Sequence, residues 1–152
     1  DLNLYGLFAG ARGELYATSE RGMLLHSSDR GQNWSYIATG YRGSFWAGAA
    51  LADGAVVVAG LRGTIYRSAN GRDGWTKVDS GISASIASIQ TLREGGSDQV
   101  VAVALDGSVL RSADAGASFQ REAGRAGAAS LTGLVFGPSG RAVLLSGEGP
   151  LK

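Results

Sequence analysis

Three arginines stand beside glycines in short polar loops: Arg21 in Glu20-Arg21-Gly22, Arg42 in Tyr41-Arg42-Gly43 and Arg62 in Leu61-Arg62-Gly63. A guanidinium presents five donors in a planar fork that fits a carboxylate, and a glycine neighbour leaves the backbone accessible. The three are therefore candidates for holding an acidic peptide or a chain terminus. Tyr41 adjoins them as the nearest tyrosine. Glu20, Asp106 and Glu148 occupy loops of the same kind, one carboxylate per loop. Retaining glycoside cleavage needs two carboxyl groups about 5 Å apart, and nothing in the sequence pairs them locally. No catalytic residue is assigned. The sequence carries no phosphate-cradling glycine loop, no histidine-rich metal set and no Ser/His/Asp arrangement. The single histidine, His26, reads as structural. With no cysteine there is no disulfide, thiolate metal site or cysteine nucleophile. No metal and no cofactor are expected.

The elements that position these loops follow from composition and repetition. Hydrophobic residues make up 44% and charged residues 18% of the 152, within the range of folded domains. Twenty-five glycines against two prolines call for many tight turns joining short strands. A net charge of +1 without a basic run argues against nucleic acid and anionic membrane as partners. No apolar stretch reaches the roughly 20 residues of a membrane span.

One segment recurs three times without gaps. It reads Gly22-Met23-Leu24-Leu25-His26-Ser27-Ser28-Asp29-Arg30-Gly31-Gln32-Asn33-Trp34, then Gly63 to Trp75, then Gly107 to Phe119. The serines Ser27, Ser68 and Ser112 lie 41 and 44 residues apart, a period that fits four short strands and their turns. Each copy runs from an apolar strand through a polar turn to an aromatic. In the turn an Asp accepts backbone N–H groups, the Gly adopts positive φ, and the aromatic fills the space between sheets. Ser27, Asp29, Gly31 and Trp34 have these structural roles in the first copy, Ser68, Asn70 and Trp75 in the second, and Ser112, Asp114, Gly116 and Phe119 in the third.

The motif Ser-x-Asp-x-Gly-x-x-Trp resembles the Asp box of BNR and sialidase-type repeats. It is matched fully in the first copy, with Phe119 as the aromatic of the third; the second has Asn70 for Asp and Arg72 where Gly belongs. The wording from Val57 to Ser68, echoed in 14–34 and 100–119, is similar to the photosystem II stability/assembly-factor-like propellers. That resemblance agrees with the repeat and the apolar segments before each copy, which predict an all-β propeller segment of four-stranded antiparallel blades, about three and three-quarters in number. The expected limits are 4–39, 44–79 and 85–123, with a partial fourth blade at 131–152. It further implies a protein-interaction or assembly scaffold whose arginine-bearing face holds a protein client or envelope complex. Many members are exported, so a periplasmic location is expected, with the cytoplasm left open. The sialidase likeness implies the alternative, a glycan-binding or glycan-cleaving propeller using an arginine trio with Tyr and carboxylates.

A segment of this size leaves two raw blade faces, which tend to recruit another chain. The chain is therefore expected to be the C-terminal half of a longer protein whose first half closes the ring, or to meet a second copy.

Overall fold

The computed structural model describes residues 1–123 and 129–151; Lys152, the last residue of the expected fourth blade, lies outside the described residues. Four antiparallel sheets follow one another along the chain. The first holds β1 (Leu4–Ala9), β2 (Leu15–Ser19), β3 (Met23–Ser27) and β4 (Ser35–Ala38) in sequence order. The second holds β5 (Phe45–Ala50), β6 (Val56–Gly60), β7 (Ile65–Ser68) and β8 (Thr76–Val78). The third holds β9 (Ile86–Glu94), β10 (Ser97–Ala104), β11 (Val109–Ser112) and β12 (Gln120–Arg121). The fourth has β13 (Leu131–Phe136), β14 (Ala142–Ser146) and β15 (Gly149–Pro150). The described residues contain no α-helix; a single 3₁₀ turn spans Leu61–Gly63. The fold is a partial β-propeller.

The first strands β1, β5, β9 and β13 stand beside one another, each against the next. Each carries a bulge near its start, where pairing skips Tyr5, Trp46, Ala87 and Thr132 respectively. A bulge adds local twist, and the same bulge in all four sheets fans them in the same sense.

Sheets pack face to face, which explains the strands without alternation. Val56–Gly60 and the 100–104 stretch of β10 are buried on both sides, because each second strand lies between two neighbours. Tyr16, Leu24, Ile37, Phe45, Val56 and Val58 form the core between the first two sheets. A larger core built on Val57, Ile65, Ile89, Val100 and Leu110 joins the second to the third. Val101, Val103, Val109, Leu131, Leu134 and Leu144 join the third to the fourth. Gly48 makes one close approach, since a Cβ there would lie 2.3 Å from the ring of Phe8 on the preceding sheet.

Candidate functional site

The loops between second and third strands lie at one end of the sheets. In the first, Met23 N–H donates to the Glu20 carbonyl at 3.2 Å, with Arg21 at φ 58° and Gly22 at φ 66° in the middle of the turn. The second repeats this, Thr64 N–H donating to the Leu61 carbonyl at 3.1 Å around Arg62 at 55° and Gly63 at 69°. Two successive positive φ values suit the right-handed twist of a tight hairpin but cost an L-residue on the order of 1–2 kcal/mol at the first position. Asn or Gly would fit more easily. The glycines are required for a second reason: a Cβ on Gly22 would sit 2.0 Å from the Tyr41 carbonyl oxygen, and one on Gly63 2.2 Å from that of Ile82.

Backbone bonds also set the loops that carry the three arginines side by side. Gly22 N–H donates to the Gly43 carbonyl at 2.7 Å, setting Arg21 beside the connection that carries Arg42. Leu61 N–H donates to the Ser44 carbonyl at 3.1 Å, bringing Arg62 to the other side of the same connection. All three side chains are exposed. Among the described residues the ion pair is Arg111 with Glu122, on another part of the molecule. The loops of Arg21 and Arg62 thus flank the connection that carries Arg42, and each of the three side chains reaches solvent.

Tyr41 turns inward from these loops. Its ring packs 5.1 Å from Phe45 and 5.6 Å from Tyr66, its hydroxyl accepts from Thr64 Oγ1 at 3.3 Å, and Gly43 lies directly over it. Two of the three carboxylates, those of Glu20 and Asp106, are bonded within their own surroundings. Glu20 accepts from the backbone N–H of Asn3 at 3.4 Å and from its Nδ2 at 3.2 Å, and these bonds hold its carboxyl below the ordinary value. Asp106 folds onto its own turn, accepting from Ser108 N–H at 2.9 Å. Burial raises its carboxyl, but the Ser108 bonds and nearby Arg121 prevail and hold it low. Asp106 and Glu148 occupy the loops of the third and fourth sheets that correspond to those of Arg21 and Arg62. No cluster of metal-ligating side chains occurs among the described residues.

The opposite end carries the Asp boxes. Ser27 Oγ donates to Asp29 Oδ1 at 2.8 Å and accepts from Gly31 N–H at 2.8 Å, while Asn33 N–H donates to Asp29 Oδ1 at 2.8 Å. Ser112, Asp114, Gly116 and Ser118 repeat the pattern. Charge-assisted donors hold both carboxyls at about 2: first Asn33 around Asp29, and first the Ser118 hydroxyl around Asp114. The middle box reaches the same end differently. Its glycine comes one residue earlier, with Gly71 at φ 70° donating to Ser68 Oγ at 3.0 Å. Asn70 Oδ1 accepts from the N–H groups of Arg72 at 2.8 Å and Asp73 at 3.0 Å. Arg72 therefore does not have to stand in for a glycine.

Trp75 and Phe119 pack into the cores shared with the preceding sheet. Trp34 departs from the expectation of a packed indole: it is 39% exposed, its Nε1 donating to the Gly31 carbonyl at 3.0 Å, because no described sheet precedes β1. His26 is buried against Tyr16, with ring centroids 4.9 Å apart and Nε2 unpartnered; burial, then Arg72, pushes its pKa down. Sequence reasoning did not single out Arg67, which holds the same position one sheet on. Its Nε donates to the Ala115 carbonyl in the next sheet's box at 2.8 Å. The available signal was its place immediately before the box serine, shared with His26 and Arg111.

Repeated four-stranded sheets, shared inter-sheet cores and Asp-box turns define an Asp-box propeller segment. The profile of the family described as photosynthesis system II assembly factor YCF48 matches residues 8–152, and the chain belongs to that family. Its fold is similar to a solved structure described as YCF48 bound to D1 peptide, with TM-score 0.73 and 17% identity over 96% of this chain and 47% of that one. YCF48 from Cyanidioschyzon merolae superposes with TM-score 0.70 and 17% identity over 96% of this chain and 50% of that one. The RRP9 WD40 repeats match with TM-score 0.74 and 12% identity, covering all of this chain and 54% of theirs. The chain spans about half the length of these structures. No curated protein matches it.

Proposed function

We propose that this chain is the client-holding part of a non-catalytic propeller, and that its arginine-bearing loops take an acidic peptide segment or a free chain terminus. The observation that supports the reading is that backbone hydrogen bonds, Gly22 to Gly43 and Leu61 to Ser44, set the loops of Arg21 and Arg62 on either side of the connection that carries Arg42. Two of these arginines hold a left-handed backbone, and strain of that kind is retained where surrounding structure over-determines it, often at sites of function. A family relative solved with a bound peptide agrees in kind, as a statement about that protein. The hydrolase alternative would need converging carboxylates, whereas Glu20 is held by Asn3 and Asp106 by its own turn.

The test is a triple charge reversal, Arg21→Glu, Arg42→Glu and Arg62→Glu, titrated with an acidic peptide of about ten residues bearing a free C-terminal carboxylate and with its amidated twin. Hydrogen bonds to charged groups contribute about 1.5–3 kcal/mol each, so binding should weaken at least tenfold. The melting temperature should barely move, because exposed charges contribute little to folding. Equal affinity of wild type and triple variant for both peptides would overturn the reading.

A further inference from the structure

His26 and Arg67 hold the same place in successive blades, one residue before Ser27 and Ser68 and paired across from Tyr16 and Val57. In the second blade this place is a latch, since Arg67 Nε donates to the Ala115 carbonyl of the third blade's box at 2.8 Å. Arginine suits it, because a long apolar stem crosses packed surface while the charged head stays near water. The first blade has a histidine there, too short to do the same. His26 is 3% exposed, and its Nε2 has no hydrogen-bond partner. Both blades that meet at this joint lie within the chain.

The surroundings of His26 suit a neutral imidazole. Tyr16 of β2 lies against it with ring centroids 4.9 Å apart, and stacks in turn on Phe8 of β1 at 5.2 Å. Tyr16 spans the joint: a Cβ on Gly71, in the second blade's box, would lie 2.6 Å from its hydroxyl oxygen. β4 contributes the Ser35 hydroxyl, which donates to the His26 backbone carbonyl and carries no charge. The charges that act on the ring are Arg72, next to Gly71 in that box, and Glu14, just before β2. Glu14 is already engaged, accepting from Arg12 N–H at 2.8 Å. Burial raises its carboxyl, but its backbone bonds and Arg12 prevail and hold it below the ordinary value. A proton on His26 therefore puts a cation without an acceptor into a buried joint, on the side of Arg72. Burying an unpaired charge is costly, and admitting water relieves it.

We propose that His26 makes the joint between the first and second blades responsive to acid, closed around a neutral imidazole and loosened when the ring takes up a proton. The device is independent of the arginine-bearing loops. Its direction follows from linkage. Burial, then Arg72, pushes the His26 pKa down, so the folded chain binds this proton less readily than the unfolded chain. The stabilisation from a neutral His26 is complete above the ordinary value of 6.5 and falls as pH drops below it, levelling off once the buried ring is itself protonated.

The chain has a single histidine, so one imidazole NMR signal reports on the joint. That signal should titrate below 6.5. Hydrogen exchange, corrected for intrinsic rates, should show protection of β2 and β3 amides falling about threefold or more between about pH 7.5 and about pH 5, with β10 amides unchanged. His26→Gln and His26→Leu cannot titrate, and should hold first-blade protection level across the same range. An imidazole that titrates at or above 6.5 in the wild-type chain would overturn the proposal by itself. So would an acid loss of protection that persists in the variants, or one that reaches β10 equally.

Discussion

Gly116→Ala isolates the contribution of a single contact between blades. Gly116 stands at φ 79°, and a Cβ built there would lie 2.5 Å from Val57 Cγ2 on the preceding sheet. Val57 is fully buried within β6 and cannot swing away. Two costs therefore add. An alanine held in the left-handed region loses about 1 kcal/mol relative to glycine. Forcing a methyl into a packed core costs a further 1–3 kcal/mol or so. The sum is about 2–4 kcal/mol. Gly81→Ala supplies the control: its φ is 68°, yet nothing lies within 4 Å of the added Cβ, so only the first cost applies. Urea unfolding followed by tryptophan fluorescence reads both, with the difference appearing in the midpoint and the slope unchanged. Equal midpoints for the two variants would mean that the second and third blades do not press together at Gly116, and the packing account of that interface would fail.

Trp75→Ala should lose about 2–3 kcal/mol, somewhat below a fully buried Trp because the indole is half-buried, whereas Trp34→Ala, at an indole 39% exposed, should cost less. Comparative thermal melts check the pair. Asp29 and Asp114 have folded pKa values of about 2 against an ordinary 3.8. Their stabilising contribution is therefore complete above about pH 4 and is lost as pH falls through 2. The double variant Asp29→Asn, Asp114→Asn should start less stable at neutral pH and show a flatter decline from pH 4 to 2 in urea midpoints. Asn70 already shows an amide in this place, and the middle box should contribute nothing through that residue to the acid limb.

The fold was readable because a propeller states its interior several times over. A serine, a turn and an aromatic returning every forty-odd residues identify the blade, and the unbroken apolar run 55–59 identifies a strand covered on both faces. Other features depend on what lies across a sheet, and position along the chain does not disclose them. The middle box was hard to read because the shift of its glycine to Gly71 is compensated by Asn70 and Asp73, through hydrogen bonds a motif does not encode. Tyr41 neighbours Arg42 in sequence, yet its ring faces the opposite way, drawn under Gly43 by Phe45 and Tyr66. Trp34 holds the motif position of Trp75 and Phe119 and differs in having no described sheet before its own. The equivalence of the loops of Arg21 and Arg62 was visible in the repeat, but the backbone bonds that set them beside the connection of Arg42 run between Gly22 and Gly43 and between Leu61 and Ser44, which no local pattern discloses.

The four equivalent loops carry Arg21, Arg62, Asp106 and Glu148 in that order around the arc. Their signs run from positive to negative, so these four side chains by themselves set up a lateral charge moment, reduced by Glu20 beside Arg21, while the chain as a whole is nearly neutral. Such a moment exerts torque as well as attraction. A molecule with unlike charges at its two ends is rotated into register before any side chain touches it, and a uniformly acidic one is drawn to one side of the arc only. Because the field fades within about 8 Å at physiological ionic strength, salt should blur the angle of approach before it abolishes the final contact.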